Sequence, residues 1–348
     1  MPGFFSWISG LFSSDKPTNA TKTAPEPRLL NPVVAPDDSP DIDPALIDQL
    51  EKYLFCWLLD SPPVALRSEA GQWDEVLEKL RWRIANGELD ELPRQPMTLP
   101  MLMRALSDAN TGRHQLTEII LNDPALTDQL LQIANSPYFR TGDQSIDSVD
   151  QAVFVLGMDG IRNVVSAAIM RPMMAARNSR EALFAQRVWR WGLTCARSAE
   201  LIAKIQGQDS SVYFMAGLLP ALSYITLRRE LQRVCRTESG MVEPPPSLIH
   251  IALSRHQWAT SQLLANEWNL PPKYHAQLLA AERPAPRQLH TPLNDGIIIG
   301  TREVLRHAHQ RNMPEDDVLR ITHISREQFT RVRKVILDTL EAGAKTRT

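Results

Sequence analysis

The chain has 348 residues, with a hydrophobic share of 43%, a charged share of 22% and a formal net charge of −2. This composition is typical of a soluble globular protein rather than a disordered or membrane-spanning one. It leaves no overall positive field that would attract nucleic acid or an anionic membrane. The length allows two domains plus tails, or one domain with appendages.

The three cysteines are odd in number, widely spaced and embedded in apolar sequence: Cys56, Cys195 and Cys235. They form neither a disulfide framework nor a CxxC metal knuckle, which favours a reducing cytoplasm. No apolar run approaches the roughly 20 residues of a bilayer-spanning helix. The first residues lack a basic region, and polar residues interrupt their apolar part, so we do not expect a secretory signal.

Residues 1–12 are predicted to form an amphipathic tip. One helical face carries Phe4, Trp7, Ile8, Leu11 and Phe12. The polar face has no basic residue, so residues 4–12 would dock only weakly on a membrane or a partner. The alternative is a tip that lies on its own domain or is disordered. Residues 13–41 contain six prolines, which predicts a disordered Pro-rich linker.

Residues 42–91 predict an N-terminal helical appendage. Asp43 caps a first helix that has Pro44 at its first position and ends near Asp60. A second helix covers about 69–86. Thirteen further helices follow, near 98–109, 111–122, 124–135, 148–157, 161–171, 180–206, 210–219, 222–235, 247–268, 272–281, 293–311, 315–321 and 325–341. Because no segment alternates like a strand, the predicted class is all-α.

No catalytic or cofactor motif is recognisable in the sequence. The eight histidines form no HExxH or HxxxH, and His307 and His309 point to different sides of a helix. A phosphate loop, a dinucleotide fingerprint and a nucleophile elbow are all missing. We therefore expect no cofactor and find no positive support for catalysis.

Residues 313–340 loosely resemble a helix-turn-helix, whose second helix would carry Arg326, Arg331, Arg333 and Lys334. The same helix has an inward stripe of Phe329, Val332, Ile336 and Leu340. A solvated surface helix is the favoured interpretation, and nucleic-acid binding is the less favoured alternative.

Several motifs in order resemble bacterial HDOD domains: Ile119-Ile120, Asp123 to Leu126, Ala134 to Ser136, Ser148, Gln151-Ala152 and Leu156-Gly157. The resemblance covers about residues 92–290 and implies a multi-helix orthogonal bundle. It leaves out the appendage and residues 291–348, which we expect to pack on the HDOD core as a C-terminal helical segment.

HDOD domains are relatives of HD phosphohydrolases, whose metal is held by histidines and an adjacent His-Asp pair. The resemblance places that pair on Pro220 and Ala221, and a companion histidine on Trp191. The later histidines of the family would lie near Ala280 to Glu282, and Tyr224 stands where many relatives have Lys. Since these replacements supply no ligand, the resemblance implies no metal site. If a relic pocket persists, Trp191 and Tyr224 would line it.

The residues of the family signature have structural explanations, as helix caps, helix ends and points of close backbone passage. We expect none of them to be catalytic: Asp123, Pro124, Asn135, Ser136, Gln151, Gly157 and Gly217. Gly157 is expected to end a helix.

The resemblance implies a non-catalytic regulatory module that contacts unidentified proteins in bacterial signal transduction. It would act in the cytoplasm, with peripheral membrane attachment as a variant. One alternative is a degenerate HD-type domain that retains nucleotide binding or hydrolysis. Another is a DNA-binding regulator that uses the C-terminal helices. The partner and the oligomeric state stay open.

Overall fold

The computed structural model describes residues 43–107, 111–136, 139, 144–283 and 290–345, all within one compact unit. The predicted tip (1–12) and linker (13–41) lie outside these residues. The described ranges contain thirteen α-helices, one 3-10 turn at Pro63–Leu66 and no strand, so the all-α prediction is confirmed. The helices are α1 Pro44–Leu58, α2 Asp74–Ala85, α3 Leu99–Ser107, α4 Arg113–Leu121, α5 Pro124–Ala134, α6 Val149–Met170, α7 Ser179–Ile205, α8 Ser210–Glu238, α9 Pro246–Glu267, α10 Pro272–Glu282, α11 Pro292–His307, α12 Glu315–Ile321 and α13 Arg326–Lys345.

Local capping chemistry begins several of these helices where the sequence predicts. The carboxylate of Asp43 accepts a hydrogen bond from the Ala45 N–H at 3.0 Å. The hydroxyl of Ser325 accepts from the backbone N–H of Gln328, and the side-chain amide oxygen Oε1 of Gln328 accepts from the Ser325 N–H. This reciprocal pair is a capping box, which satisfies two N–H groups that lack a partner inside the helix.

Gly157 ends the first of two helical stretches within α6, as the sequence predicts. The backbone is helical on both sides, but Gly157 itself is non-helical, with φ 67° and ψ −178°, and α6 is kinked there. Side chains other than hydrogen are strongly disfavoured in this conformation. The glycine therefore bends the chain between two helical stretches.

Pro220, in contrast, does not end a helix. The sequence predicts a break between residues 219 and 222, whereas α8 runs unbroken from Ser210 to Glu238 with Pro220 inside it. A proline in a helix interior costs about 3 kcal/mol because it removes one N–H and crowds the preceding turn. The fully buried neighbours Leu218, Leu219 and Leu222 offset this cost through packing, which the local sequence signal does not include.

By length and mean hydropathy, α6 could cross a bilayer, which the sequence analysis does not anticipate. Half of its most apolar window is buried inside the protein. A core helix of a soluble protein has the same length and composition, so this feature alone favours neither location.

The long helix α7 packs on α8 at very short range because small residues meet there. A Cβ added at Gly217 would lie 2.6 Å from the Cα of Ala196. A Cβ added at Gly192 would lie 2.5 Å from the Cβ of Ala221. At Gly217, where the sequence predicts a close approach of the backbone, the backbone of α8 lies close to that of α7.

A neighbouring face of α7 packs on α11 in the same manner. A Cβ at Gly296 would lie 2.5 Å from the Cα of Ala199, and one at Gly300 would lie 2.6 Å from the Cα of Cys195. These neighbours are backbone atoms, which cannot rotate away. Glycine is thus required at the interface of α7 with α8 and at its interface with α11 for the helices to approach this closely.

Changing Gly300 to Ala is expected to lower the free energy of unfolding by about 1–3 kcal/mol, because the helices must separate to admit the methyl group. Chemical denaturation of both proteins measures the loss. Gly112→Ala is the matched control, since a Cβ there meets no atom within 4 Å. Equal stability of the Gly300→Ala and Gly112→Ala proteins would contradict the close packing of α7 on α11.

The helices α1 and α2 pack on the rest of the unit. Leu54, Phe55 and Leu58 of α1 are fully or almost fully buried. From α2, the Arg83 Nε donates to the Glu230 Oε1 at 2.7 Å, and the other oxygen of Glu230 accepts from the Glu91 N–H at 3.1 Å. Glu230 is fully buried, so the arginine is its charge partner in the interior.

Changing Arg83 to Met should destabilise the protein by about 3–5 kcal/mol, because it leaves the Glu230 carboxylate buried without its partner. Arg81→Met is the control, since Arg81 is exposed and pairs with Glu78 on the same helix. That change should cost less than about 1 kcal/mol. Thermal or urea unfolding of both variants tests the difference, and similar losses would refute this role of Arg83.

Candidate functional site

The three positions where the family resemblance places metal ligands lie in the interior of the protein, on adjacent helices. Trp191 of α7 stacks face to face on Tyr224 of α8, with ring centroids 4.9 Å apart and an angle of 9° between the planes. The Trp191 Nε1 donates to the hydroxyl of Thr301 on α11 at 2.8 Å. The indole is therefore held by an aromatic ring on one helix and a hydrogen bond to another.

Pro220 and Ala221 are buried one turn before Tyr224. The Pro220 carbonyl accepts from the hydroxyl of Ser223 at 2.8 Å, and Ala221 packs against Gly192. Neither side chain has an oxygen, nitrogen or sulfur atom. These two positions can therefore pack α8 on α7 but cannot hold a metal ion.

Trp191 and Tyr224 line a cavity of about 340 Å³, where the sequence analysis expects a relic pocket to lie. Ala281, within the segment where the family's later histidines would fall, also lines it. The whole lining comes from seven helices and the loop before α11. Besides Trp191, Tyr224 and Ala281, it consists of Ile47, Leu50, Glu51, Leu54, Gln257, Trp258, His290, Asn294, Asp295, Ile297, Ile298, Thr301 and Ile321. One wall is formed by α1, outside the region that the resemblance covers.

Two carboxylates reach this cavity with partners of their own. The Ser254 hydroxyl donates to the Glu51 Oε1, and the His250 Nε2 lies 3.7 Å from the same oxygen. Asp295 is fully buried.

Asp295 accepts at both of its oxygens. Its Oδ1 lies 3.2 Å from the His290 Nδ1, and its Oδ2 accepts from the His323 N–H at 3.1 Å. The Nε2 of His290 is buried without a hydrogen-bond partner. The sequence analysis does not single out His290, Asp295 or Glu51. The five-residue spacing from His290 to Asp295 is the one local signal that could have pointed to the pair.

The side chain of Asn135 forms hydrogen bonds with two backbone segments, one in α5 and one just before α6. Its amide nitrogen donates to the carbonyls of Leu131 and Ile146, and its amide oxygen accepts from the Ile146 N–H at 2.8 Å. The neighbouring Ser136 has a buried hydroxyl without a partner. Asn135 therefore acts as a clamp between two backbone segments.

The other signature residues near α5 and α6 are caps. The Asp123 carboxylate accepts from the Leu126 N–H at 3.0 Å, with Pro124 at the first position of α5. The Gln151 N–H donates to the Ser148 hydroxyl, while the Gln151 amide bonds to the backbone of Asp147 and Ser145. None of these residues lines the cavity.

The family model for the HDOD domain matches residues 92–284, more than half of the chain. The chain belongs to the HDOD family. A protein of Treponema pallidum (strain Nichols), itself uncharacterised, is 24% identical over 200 residues. That match covers 56% of this chain and 38% of the relative, so the chain matches well under half of the relative's length.

Three solved structures resemble this HDOD protein. A protein of Shewanella amazonensis SB2B to which metal-dependent phosphohydrolase activity is ascribed has 16% identity and a TM-score of 0.56, over 79% of this chain and 99% of its own. A second Shewanella protein, ascribed to the phosphohydrolases, has 19% identity and a TM-score of 0.56, over 76% and 97%. An HDOD domain protein of unknown function from Geobacter sulfurreducens has 18% identity and a TM-score of 0.53, over 78% and 97%. At these identities the likeness establishes the fold alone.

Two groups beside the HDOD cavity that could ionise as nucleophiles are held neutral. Burial, together with the nearby Glu51 and Cys195, raises the pKa of Tyr224 well above its usual range. Burial also raises the pKa of Cys195, against a smaller opposite effect of the Thr301 hydroxyl. At neutral pH the phenol and the thiol both keep their protons, which favours packing and hydrogen bonding over covalent chemistry.

Three of the four basic residues that the sequence analysis names on the C-terminal helix α13 are paired with carboxylates. Arg326 contacts Glu315 and Asp316, Arg331 contacts Glu327, and Arg333 contacts Glu315 and the buried Glu303. The predicted inward stripe is buried: Phe329, Val332, Ile336 and Leu340. This arrangement lowers the positive potential that phosphate contacts would require.

Changing Thr301 to Val should lower the free energy of unfolding by about 1–3 kcal/mol, because the buried Trp191 N–H loses its acceptor while the side-chain shape is kept. Thr330→Val on the exposed face of α13 makes the same change and should cost much less. Urea denaturation, followed by tryptophan fluorescence, measures both. A Thr301→Val protein as stable as the Thr330→Val protein would rule out the proposed anchoring of the indole.

Proposed function

We propose that this HDOD protein is a non-catalytic regulatory module that acts by protein contact in bacterial signal transduction. One observation carries the proposal. Trp191, Pro220 and Ala221, where the family resemblance would place the metal ligands of an HD phosphohydrolase, are packed in the core without a ligand atom. Hydrolysis of a phosphoester by such a site requires neutral imidazoles and carboxylates that converge on a metal with an open position.

The rest of the cavity supports the same proposal. In the described part of the chain, no group of three or more His, Cys, Asp or Glu side chains is placed to hold a metal ion. The Asp295 carboxylate is bonded to His290 and His323, and Glu51 is bonded to Ser254. Restoring a metal site would require replacing the stacked Trp191 and Tyr224 as well as the dipeptide.

The alternative of a degenerate hydrolase that still binds nucleotides rests on the activity ascribed to the two Shewanella proteins. Their identity to this chain is too low to transfer an activity. The alternative of DNA binding by α13 requires free basic side chains, and Arg326, Arg331 and Arg333 are paired with carboxylates. Regulation through a protein partner is therefore the stronger proposal.

The proposal that the protein is non-catalytic predicts that it does not hydrolyse phosphoesters. Purified full-length protein should contain no stoichiometric transition metal by elemental analysis. It should not hydrolyse a generic phosphodiester or a cyclic dinucleotide when Mg²⁺ or Mn²⁺ is added. Stoichiometric metal together with turnover would overturn it.

The regulatory side is tested by partner capture from the native cell with the full chain and with a chain lacking residues 1–42. The deletion stops before α1 because Phe55 and Leu58 belong to the core. If the partner is lost with the deletion, recognition lies in residues 1–42; if it is kept, recognition lies in the helical unit.

Cell fractionation of the same two chains distinguishes a cytoplasmic from a membrane-peripheral location. If neither chain retains any protein under crosslinking, a role through protein contact is contradicted.

A further inference from the structure

We infer that the cavity beside Trp191 and Tyr224 binds a small organic cation, namely a protonated amine carried on an apolar body. This inference goes beyond the proposed function and does not depend on it, because binding is measured without activity. It rests on the walls of the cavity, on the charge of its lining, and on two acceptors that are left for a ligand.

The walls favour a small molecule with an apolar body. The volume of about 340 Å³ falls within the range of about 300–1000 Å³ that is typical of ligand sites. Three aromatic side chains line it, those of Trp191, Tyr224 and Trp258, and most of the other lining side chains are aliphatic. Half-buried residues at its edge, including Glu51 and Gln257, connect it with solvent.

The charge of the lining favours a cation. Glu51 and Asp295 are both carboxylates, and no Lys or Arg is found among the described residues that line the cavity. Phosphate recognition relies on guanidinium or ammonium groups, or on the N–H groups of a helix N-terminus. A nucleotide would therefore place its phosphate beside two negative charges without a compensating cation.

Glu51 is the group best placed to pair with the amine. Its side chain is 29% exposed, and the contacts from Ser254 and His250 both fall on Oε1. The second oxygen, Oε2, can accept from a ligand N–H. A carboxylate held in place by a neighbouring hydroxyl loses little rotational freedom when it binds a cation.

His290 supplies a second acceptor. The Asp295 Oδ1 lies 3.2 Å from the His290 Nδ1. In the tautomer that carries its proton on Nδ1, the Nε2 is a hydrogen-bond acceptor. This Nε2 is buried without a partner, and the His290 side chain is 9% exposed. A buried acceptor that lacks a donor is costly, and a donor on the ligand removes that cost.

The aromatic rings add a further preference for positive charge. A cation within about 6 Å of a Trp or Tyr ring is attracted by the negative face of the ring. Trp191 already uses one face to stack on Tyr224, and Trp258 forms a separate part of the wall. Rings, a carboxylate and a buried acceptor together distinguish an amine from a neutral molecule of the same shape.

Isothermal titration of the full chain with four probes tests the inference: phenethylamine, phenethyl alcohol, phenylacetate and AMP. Phenethylamine should bind at least tenfold more tightly than the alcohol, which has the same shape without the charge. Phenylacetate and AMP should bind more weakly than the alcohol. Equal binding of the amine and the alcohol, tighter binding of phenylacetate or AMP, or no binding of any probe would overturn the inference.

Two variants locate the binding. Glu51→Gln should weaken phenethylamine binding about tenfold and leave the alcohol unchanged, whereas Asp48→Asn, an exposed charge change on the same helix, should affect neither. Ala281→Leu fills the cavity and should weaken both probes, and it carries the test if Glu51→Gln does not fold. Amine affinity that is unchanged in Glu51→Gln, or in Ala281→Leu, would place the binding elsewhere and refute the inference.

Discussion

The structure depends on how closely α7 can approach its two neighbours. Each neighbour presents a glycine to α7: Gly217 of α8 lies against Ala196, and Gly300 of α11 lies against Cys195. At these distances backbone meets backbone, so dispersion contacts are dense and a single added methyl group has no space. The three helices form the centre of the unit, and α13 packs on α7 and α11 in turn. The chain thus uses its few glycines in helix interiors at the interfaces, where the gain in packing exceeds their loss of helix propensity.

This close packing also explains the character of the cavity. Trp191 projects from α7 and is held by Tyr224 of α8 and by Thr301 of α11. Where the resemblance places a His-Asp pair, Pro220 and Ala221 contribute to the contact between helices. The cavity beside them is bounded by aromatic rings, by the carboxylates of Glu51 and Asp295, and by one side of α1.

Buried charges are likewise held by specific contacts. Buried carboxylates have defined partners: Glu230 pairs with Arg83, and Glu181 pairs with Arg229. Although burial raises the pKa of Glu181, the hydrogen bonds from Arg229 and from the Arg177 N–H lower it below the usual range. Ionisation of Glu181 therefore stabilises the folded state above the unfolded carboxyl pKa, and this contribution is lost as the pH falls through the folded pKa. The carboxylates at the cavity differ, because Glu51 keeps an oxygen that can serve a ligand.

The sequence by itself determined the all-α class, most helix positions and the family. Caps such as Asp43, Asp123 and Ser325 act through neighbours within a few residues, so their effect is visible in the chain order. Pro220 was misjudged, because a helix can continue through a proline when the surface buried around it outweighs the local cost. Only the tertiary structure decided that α1 forms one wall of a cavity beside Trp191 and Tyr224. It also decided that Glu51, His290 and Asp295 all line this cavity. These residues are separated by up to 244 positions in the chain, and no local pattern records a contact formed by the packing of distant helices.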